Sequence, residues 1–342
     1  QALFINASVE VFEDTYAAVY ATTPKNNKAI VCILGTGSNC SYFEGTQLQQ
    51  KVQSLGYIAM DDASGNRFGR HLIRAYYFNA MPKEMAQEFE KQFAKYFGSK
   101  YAVMVNSGSS ANLLMTGALF YTKNEKVLLK PGDEIIVPAV SWSTTYYPLS
   151  QYGLVQKFVD IDLYTLNYDL SALEDAITDQ TRAIMIVNLL GNPNNFEKIK
   201  ELIGTRNILL LEDNCESMGA KFQNKYTGTF GIMGTFSSFF SHHISTMEGG
   251  FVTTDNEELY HILLSLRAHG WTRNLPKKNY VANKSDDWFD ESFRFVLPGY
   301  NVRPIEMSGA IGVKQLEKTP SFLEKRRENA ELFVKLFKKK ER

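Results

Sequence analysis

From residue 85 onward, the spacing of hydrophobic residues alternates between the periods of helices and strands. A helical spacing begins at Met85 and ends at Gly98, a residue type that favours helix C-termini. Its apolar stripe is aromatic and consists of Phe89, Phe93, Tyr96 and Phe97. The pattern therefore predicts an amphipathic helix that buries a row of aromatic rings.

Short apolar runs downstream of Gly98 predict buried strands separated by helices. The predicted strands cover residues 101–105, 134–138, 156–159, 183–189, 208–211 and 251–253. The predicted helices cover residues 109–120, 256–268 and 321–340. This alternation predicts an α/β domain with a mostly parallel sheet. In such sheets ligands bind beyond the carboxyl ends of the strands, so residues that follow strands are candidates for function.

The pattern of the first 83 residues differs, because it predicts short strands and turns. Residues 29–34 form a buried-strand pattern that runs into the turn Gly35-Thr36-Gly37-Ser38. The change near residue 84 predicts two domains, one over residues 1–83 and one over residues 84–342.

Composition narrows the class of protein. Lys+Arg and Asp+Glu both number 37 in 342 residues, so the charge balance gives no argument for binding nucleic acid or a membrane surface. No apolar run reaches the roughly 18 residues that a membrane span needs. The three cysteines form neither a CxxC pair nor a metal-ligand spacing. We therefore expect no disulfide scaffold, no metal site and a location in the reducing cytoplasm.

Two adjacent histidines are the polar residues that point most strongly to chemistry. His242 and His243 lie in a segment rich in serine, threonine and glycine, which is not typical of an apolar core. Metal binding would need a third ligand, and none lies nearby in the sequence. An imidazole in this context is therefore a candidate for moving protons.

Three further segments place polar or aromatic side chains after predicted strands. Residues 106–112, Asn-Ser-Gly-Ser-Ser-Ala-Asn, either bind a phosphate through free helix-start amides or simply cap the helix. Asp213 either holds a pyridine nitrogen protonated or caps the next helix. Trp142 either stacks on a flat ring or packs against its neighbours.

Taken in order along the chain, these segments make residues 86–342 similar to the DegT-type family of sugar aminotransferases and dehydratases. That family uses pyridoxal phosphate on the type I aspartate aminotransferase fold. The resemblance is carried by residues 97–105, 137–145, 211–217, 241–243, 267–276 and 298–303. It implies the large domain of that fold, with the family's small C-terminal domain missing after residue 342.

Carried over position by position, the resemblance implies a cofactor phosphate site. Gly108, Ser109 and Ser110 would contribute one side of it, and Ser238 the other.

The resemblance also implies roles around the cofactor ring. Trp142 would stack on the ring, Asp213 would pair with its nitrogen, and Glu216 would lie close by. His243 stands where the family carries its covalent lysine and would be the catalytic base, since no lysine occurs between residues 225 and 277. Asn301 would reach the phosphate of a partner subunit, which implies a homodimer with shared active sites.

The implied activity is removal of the carbon 3 hydroxyl from a nucleotide-linked 4-keto-6-deoxy sugar, with GDP as the expected nucleotide. Pyridoxamine phosphate would be the working form of the cofactor, and L-glutamate would restore it. Deoxysugar synthesis for surface polysaccharide is the expected pathway. The alternative is a sugar-nucleotide aminotransferase, against which the missing lysine argues.

The front segment resembles the middle of the N-acetylglucosamine kinase-like ATPases, which have an actin-like (ribonuclease H-like) fold. The resemblance is carried by residues 12–14, 32–39 and 55–65, where the Gly-Thr-Gly-Ser turn would hold an ATP phosphate. The family's first phosphate loop and its adenosine-binding part have no counterpart here, and residues 60–63 depart from its pattern. The resemblance implies an orphan kinase fragment, with an active sugar kinase and an inactive chimera as alternatives.

Overall fold

A computed structural model describes residues 19–21, 23, 27–34, 38–45, 47–52, 74 and 84–338. The chain divides into two units, Gln1–Lys83 and Glu84–Arg342. In the first unit the described strands form an antiparallel sheet in the order β1-β2-β3: β1 Ala29–Leu34, β2 Ser38–Phe43 and β3 Leu48–Val52. The predicted strand at 29–34 is confirmed. Residues 35–37, 12–14 and 55–65, which carry most of the kinase resemblance, lie outside the described residues.

The second unit is built on a seven-stranded sheet. Its strands are β4 Tyr101–Val105, β5 Glu134–Pro138, β6 Val155–Val159, β7 Thr181–Val187, β8 Leu209–Asp213, β11 Met233–Ser237 and β12 Gly250–Thr254. The strand order is β4-β12-β11-β8-β7-β5-β6. Only β12 runs against its neighbours within this sheet, so the prediction of a mostly parallel sheet is confirmed. A short hairpin, β9 Lys221–Phe222 and β10 Lys225–Tyr226, follows β8.

Eight helices of the second unit have described bounds. They are α1 Met85–Phe97, α2 Gly108–Tyr121, α3 Ser143–Gln151, α4 Leu170–Ala176, α5 Phe196–Ile203, α6 Glu257–Leu266, α7 Trp288–Ser292 and α8 Glu306–Lys338. The prediction for α8 was wrong at its start, because the helix begins 15 residues before residue 321 and continues through Pro320. Helices α3, α4, α5 and α7 were not predicted, since each is short and starts in a polar stretch. Within the described residues, no helix has both the length and the apolar character that crossing a membrane requires.

Both faces of the sheet are buried, and alternate residues of each strand serve opposite faces. In β7, Met185 packs toward the cluster that includes α2 and α6, whereas Ile184 and Ile186 pack toward α4 and α5. In β4, Met104 packs toward α1. This period of two is what a sheet covered by helices on both sides requires. Helix α1 contributes the aromatic stripe predicted from the sequence, and Gly98 ends it with φ of 78°.

An ion pair covers the outer edge of β4. Glu90 of α1 pairs with Arg267, and both side chains are largely buried. Glu90 Oε1 accepts a hydrogen bond from the Met104 amide at 2.7 Å, and Arg267 Nη1 donates to the Met104 carbonyl at 2.7 Å. The Asn106 amide, two residues on, donates to the Val302 carbonyl at 3.0 Å. The outward amide and carbonyl of Met104 are thus satisfied by side chains, and the Asn106 amide that follows β4 is satisfied by a loop.

Candidate active site

A cavity of about 390 Å³ lies at the carboxyl ends of the parallel strands. Its volume is within the range of small-molecule sites. Residues that follow or end β4, β5, β7, β8 and β11 form most of its wall. The lining comprises Ser107, Gly108, Ser109, Asn112, Ser141, Trp142, Thr144, Val187, Leu189, Asp213, Cys215, Glu216, Ser237, Phe239, Ser241, His242 and Glu248. The ionisable wall groups include three carboxylates and one imidazole, and no lysine or arginine is in this lining.

Asp213 is the buried carboxylate of this wall. It is the last residue of β8, so the strand is longer than predicted and carries the side chain to the cavity itself. Asp213 Oδ2 accepts hydrogen bonds from Asn112 Nδ2 at 2.8 Å and Thr145 Oγ1 at 2.9 Å. Asp213 Oδ1 accepts from the Cys215 amide at 3.1 Å. These bonds fix the carboxylate in one orientation at the cavity wall.

Asn112 and Thr145 were missed by the sequence reasoning. Asn112 is fully enclosed in an otherwise apolar stretch of α2, and its Oδ1 accepts from Thr235 Oγ1 at 2.7 Å. A buried amide in such a helix needs partners, because burial of an unpaired polar group costs free energy. The need of a buried asparagine for hydrogen-bond partners could therefore have indicated Asn112 from the sequence.

The start of α2 forms one end of the cavity. The helix begins at Gly108, so Gly108, Ser109 and Ser110 are its first turn and not a turn before it. Ser107 caps the helix, since its Oγ accepts from the Ser110 amide at 3.1 Å. Gly108 and Ser109 line the cavity with Ser107, whereas Ser110 does not. The first amides of a helix have no acceptor within it and suit an anion.

Two glycines allow this end of the cavity to close tightly. A Cβ atom on Gly250 would collide with the Ser107 carbonyl, and one on Gly108 would lie 2.7 Å from Ser237 Cβ. The start of β12 therefore approaches the backbone at the start of α2, and Gly108 leaves room for the side chain of Ser237 at the end of β11.

Ser238 is placed differently from the prediction. It is fully buried, and its Oγ lies 2.7 Å from Thr246 Oγ1. Ser237, the last residue of β11, lines the cavity instead. Successive residues at the end of a strand point to opposite sides, so the two serines cannot both face the cavity. Ser238, the predicted phosphate-site residue, therefore lies outside the cavity lining, whereas its neighbour Ser237 lies within it.

Adjacent His242 and His243 also divide between two environments. His242 lines the cavity, and His243 does not. The Nδ1 atom of His243 is buried without a hydrogen-bond partner. Burial, then the charges of Arg326 and His242, lowers the pKa of His243 to about 4. Burial also lowers the pKa of His242, while the carboxylates of Glu216 and Asp213 oppose that shift. The cavity thus presents the imidazole one residue before the predicted base.

The remaining predicted residues are at or outside the rim. Trp142 lines the cavity and is 72% exposed, so no packing partner covers most of its ring. Glu216 also lines it, and its Oε2 accepts from the Leu190 amide at 3.1 Å. Asn301 is exposed, lies outside this lining, and its Oδ1 accepts from Arg303 Nε at 3.1 Å.

Comparisons of sequence and of structure relate the second unit to the same kind of protein. Residues 78–342 match the family model of the DegT/DnrJ/EryC1/StrS aminotransferase family. The GDP-4-keto-6-deoxy-D-mannose 3-dehydratase of Escherichia coli O55:H7 is 70% identical over 256 residues, which are 75% of this chain and 66% of that protein. A solved structure of the E. coli enzyme with bound hydrated pyridoxal phosphate is 66% identical and superposes with a TM-score of 0.76, covering 79% of this chain and 69% of that one.

One solved structure of the same dehydratase carries two replacements, of a serine by asparagine and of the histidine after it by lysine. It is 65% identical, with a TM-score of 0.76, and the match covers 80% of this chain and 72% of that one. The chain spans about two thirds of the length of these relatives. The second unit has the aspartate-aminotransferase-like fold of such proteins, and the chain belongs to the DegT/DnrJ/EryC1/StrS aminotransferase family.

Proposed function

We propose that this chain binds pyridoxal or pyridoxamine phosphate and removes the carbon 3 hydroxyl of GDP-4-keto-6-deoxy-D-mannose, with L-glutamate returning the amino group. The observation that carries the proposal is one cavity that combines Asp213, Trp142 and His242 but has no lysine in its lining. A relative 70% identical has this dehydration in its name.

The cavity residues fit this cofactor. Asp213 presents a fixed carboxylate for a ring nitrogen, and the open face of Trp142 can cover a flat ring. The free amides at the start of α2 suit the phosphate, and Ser237 stands beside them. Glu216 and Glu248 leave the rest of the wall polar and acidic.

When bound, the cofactor supplies an amine for the sugar keto group and a conjugated ring that accepts electron density. Asp213 would hold the proton on the ring nitrogen and so keep that ring electron-poor. His242 accepts a proton at its neutral imidazole, because burial favours the uncharged form. Trp142 would cover one face of the ring.

We assign the base to His242 on the geometry, with the predicted His243 as the alternative. Ser241-His242 is the one place in the sequence where serine precedes histidine, and a relative was studied with replacements at such a pair. A conventional sugar aminotransferase needs a lysine at this point, and the cavity lining has none.

An absorbance titration with pyridoxal phosphate tests the proposal. We expect the purified chain to take up the aldehyde, to convert it to the amine form with L-glutamate, and to yield no borohydride-fixed lysine adduct. A lysine adduct would favour the aminotransferase alternative. If the chain takes up no cofactor, the result would favour the inactive chimera and contradict the proposal.

Replacement of Trp142 by alanine is expected to weaken cofactor binding by about 3- to 10-fold, because an aromatic stacking partner contributes roughly 0.5–1.5 kcal/mol. The side chain is mostly exposed, so folding stability should be unchanged. Titration of the apo protein followed by absorbance measures the effect, and Trp288→Ala on α7, where the ring is 77% exposed, is the matched control. Equal affinity in the parent and Trp142→Ala proteins would remove Trp142 from the site.

A homodimer in which Asn301 reaches the partner's cofactor phosphate is part of the proposal. Its support is the exposed position of Asn301 beside Arg303, outside the chain's own cavity. Cytoplasmic location and deoxysugar synthesis are likewise proposed. The kinase-like interpretation of residues 1–83 stays a prediction, and ATP-dependent phosphorylation of N-acetylglucosamine tests it.

A further inference from the structure

Leu190 combines two features that are unfavourable for a leucine. Its backbone lies in the left-handed region, with φ of 52° and ψ of 24°, and its side chain is 72% exposed. Glycine adopts this conformation without a steric penalty, whereas a residue with a Cβ atom does so at a cost. Neither the turn nor burial in the core therefore accounts for a leucine at this position. A residue held in such a conformation indicates a functional role.

Buried amide side chains hold the loop on both sides of Leu190. Asn188, directly after β7, donates from Nδ2 to Asn214 Oδ1 at 2.8 Å, and its Oδ1 accepts from the Asn194 amide at 2.9 Å. Asn188 and Asn194 are both 1% exposed. The loop 189–193 is therefore anchored at each end, and these anchors maintain the left-handed turn between them.

The same loop is tied to the cavity wall. The Leu190 amide donates to Glu216 Oε2 at 3.1 Å, and Glu216 lines the cavity. Leu189, one residue earlier, lines the cavity as well, whereas Leu190 does not. Because its neighbour and its hydrogen-bond partner both belong to the wall, the exposed side chain of Leu190 lies at the rim of the cavity.

The proposed substrate offers one group that suits an exposed leucine. Its sugar ring carries hydroxyl and keto oxygens, and the methyl at carbon 6 is its one alkyl group. Serine, threonine and carboxylate side chains of the cavity lining suit the oxygens, whereas Leu189 and Leu190 suit the methyl. A leucine gains hydrophobic free energy when an alkyl group covers it, and it gains less from a hydroxymethyl group, whose oxygen loses water on contact.

We propose that Leu190 contacts the methyl at carbon 6 of the sugar and so selects 6-deoxy sugars over their 6-hydroxy counterparts. The inference rests on the proposed function for its substrate class, and it adds a residue that determines specificity. The left-handed backbone, which Glu216 and the buried asparagines hold, directs the leucine to the rim instead of the core.

Calorimetric titration of the protein supplied with pyridoxal phosphate tests the contact. The ligands are GDP-6-deoxy-D-mannose and GDP-D-mannose, which differ in the hydroxyl at carbon 6 and do not react because they lack the keto group. The parent protein should prefer the 6-deoxy ligand by about 10-fold, within the range for one such group. Leu190→Gly should bind the two ligands within about 3-fold of each other, because the apolar contact is lost.

Leu163→Gly is the matched control, since it removes a leucine that is 83% exposed and outside this lining. It should keep the preference of the parent protein. Urea unfolding of Leu190→Gly separates a contact with the ligand from a role in folding. Glycine relieves the left-handed conformation, so the unfolding midpoint should be no lower than that of the parent. A lower midpoint would assign the leucine to the fold and contradict the inference.

The outcomes separate this inference from the proposed function. Loss of the preference in Leu190→Gly, beside an intact cofactor absorbance change, supports both. If Leu190→Gly keeps the preference of the parent while dehydration proceeds normally, or if the parent binds both ligands equally, this inference alone is wrong. A parent protein that takes up no cofactor and binds neither ligand would overturn the proposed function together with it.

Discussion

Replacement of His242 by asparagine is expected to slow sugar dehydration by about 100- to 10,000-fold, the usual contribution of a positioned general base. Asparagine keeps a polar side chain of similar reach but cannot accept the proton. The imidazole is at the cavity wall with Glu216 and Asp213, where the reacting atoms must lie. Single-turnover conversion of the keto sugar, with pyridoxamine phosphate supplied, measures the loss.

His243→Asn is the matched control for this result, because it makes the same replacement at the adjacent histidine, which is outside the lining. We expect its dehydration rate to stay near that of the parent protein. The opposite pattern, with His243→Asn inactive and His242→Asn active, would return the base to the position that the sequence resemblance indicated. Cofactor absorbance in both variants shows that the site has formed.

The rate of the same reaction is expected to fall as the solution becomes more acidic. Burial lowers the pKa of His242 from its ordinary value of 6.5, so the neutral, proton-accepting form persists to more acidic solution than for a free imidazole. The rate of the chemical step should therefore hold through pH 6.5 and fall only at lower pH. This acid limb should be absent from the residual activity of His242→Asn.

Replacement of Phe93 by alanine is expected to lower the free energy of unfolding by about 3–5 kcal/mol. Phe93 is fully buried at the centre of the aromatic cluster on α1. Its ring stacks on Phe251 at 4.0 Å between centroids and contacts Phe97 at 4.5 Å and Phe236 at 5.2 Å. Alanine would leave a cavity that the stiff rings around it cannot fill.

Urea unfolding followed by circular dichroism measures this change. Phe289→Ala on α7 removes the same side chain where it is 66% exposed, and we expect about 0.5 kcal/mol or less. Equal destabilisation by the two variants would show that the aromatic cluster does not anchor the fold. Phe236 and Phe251 belong to β11 and β12, which also hold Ser237 and Gly250, so Phe93→Ala should weaken cofactor binding as well.

Periodicity predicted most of the buried strands, because hydrophobic burial decides them, but it missed the fully buried strand β11, whose residues include glycine, threonine and serine. The strands at 101–105 and 134–138 have the predicted bounds, and α1 forms where its aromatic stripe is spaced for a helix. Helix α8 begins at Glu306, well before the predicted start at residue 321, and it continues through Pro320. Short helices such as α4 depend on tertiary packing more than on their own sequence.

The cavity contains side chains of the predicted kinds. Asp213 and Trp142 line it, as the strand ends indicated. Ser237 and His242 line it as well, whereas the neighbouring Ser238 and His243, which the sequence resemblance indicated, do not. A shift of one residue changes the face on which a side chain lies, and a motif match without backbone geometry does not fix that face.

The ion pair at the outer edge of β4 also bears on how readily the protein aggregates in concentrated solution. A strand with free amides and carbonyls can recruit the same strand of another molecule and start a fibre. Glu90 and Arg267 occupy the Met104 groups that such recruitment needs. Loss of either side chain would therefore leave these backbone groups unpaired at the strand edge, and we expect the variant to aggregate on storage.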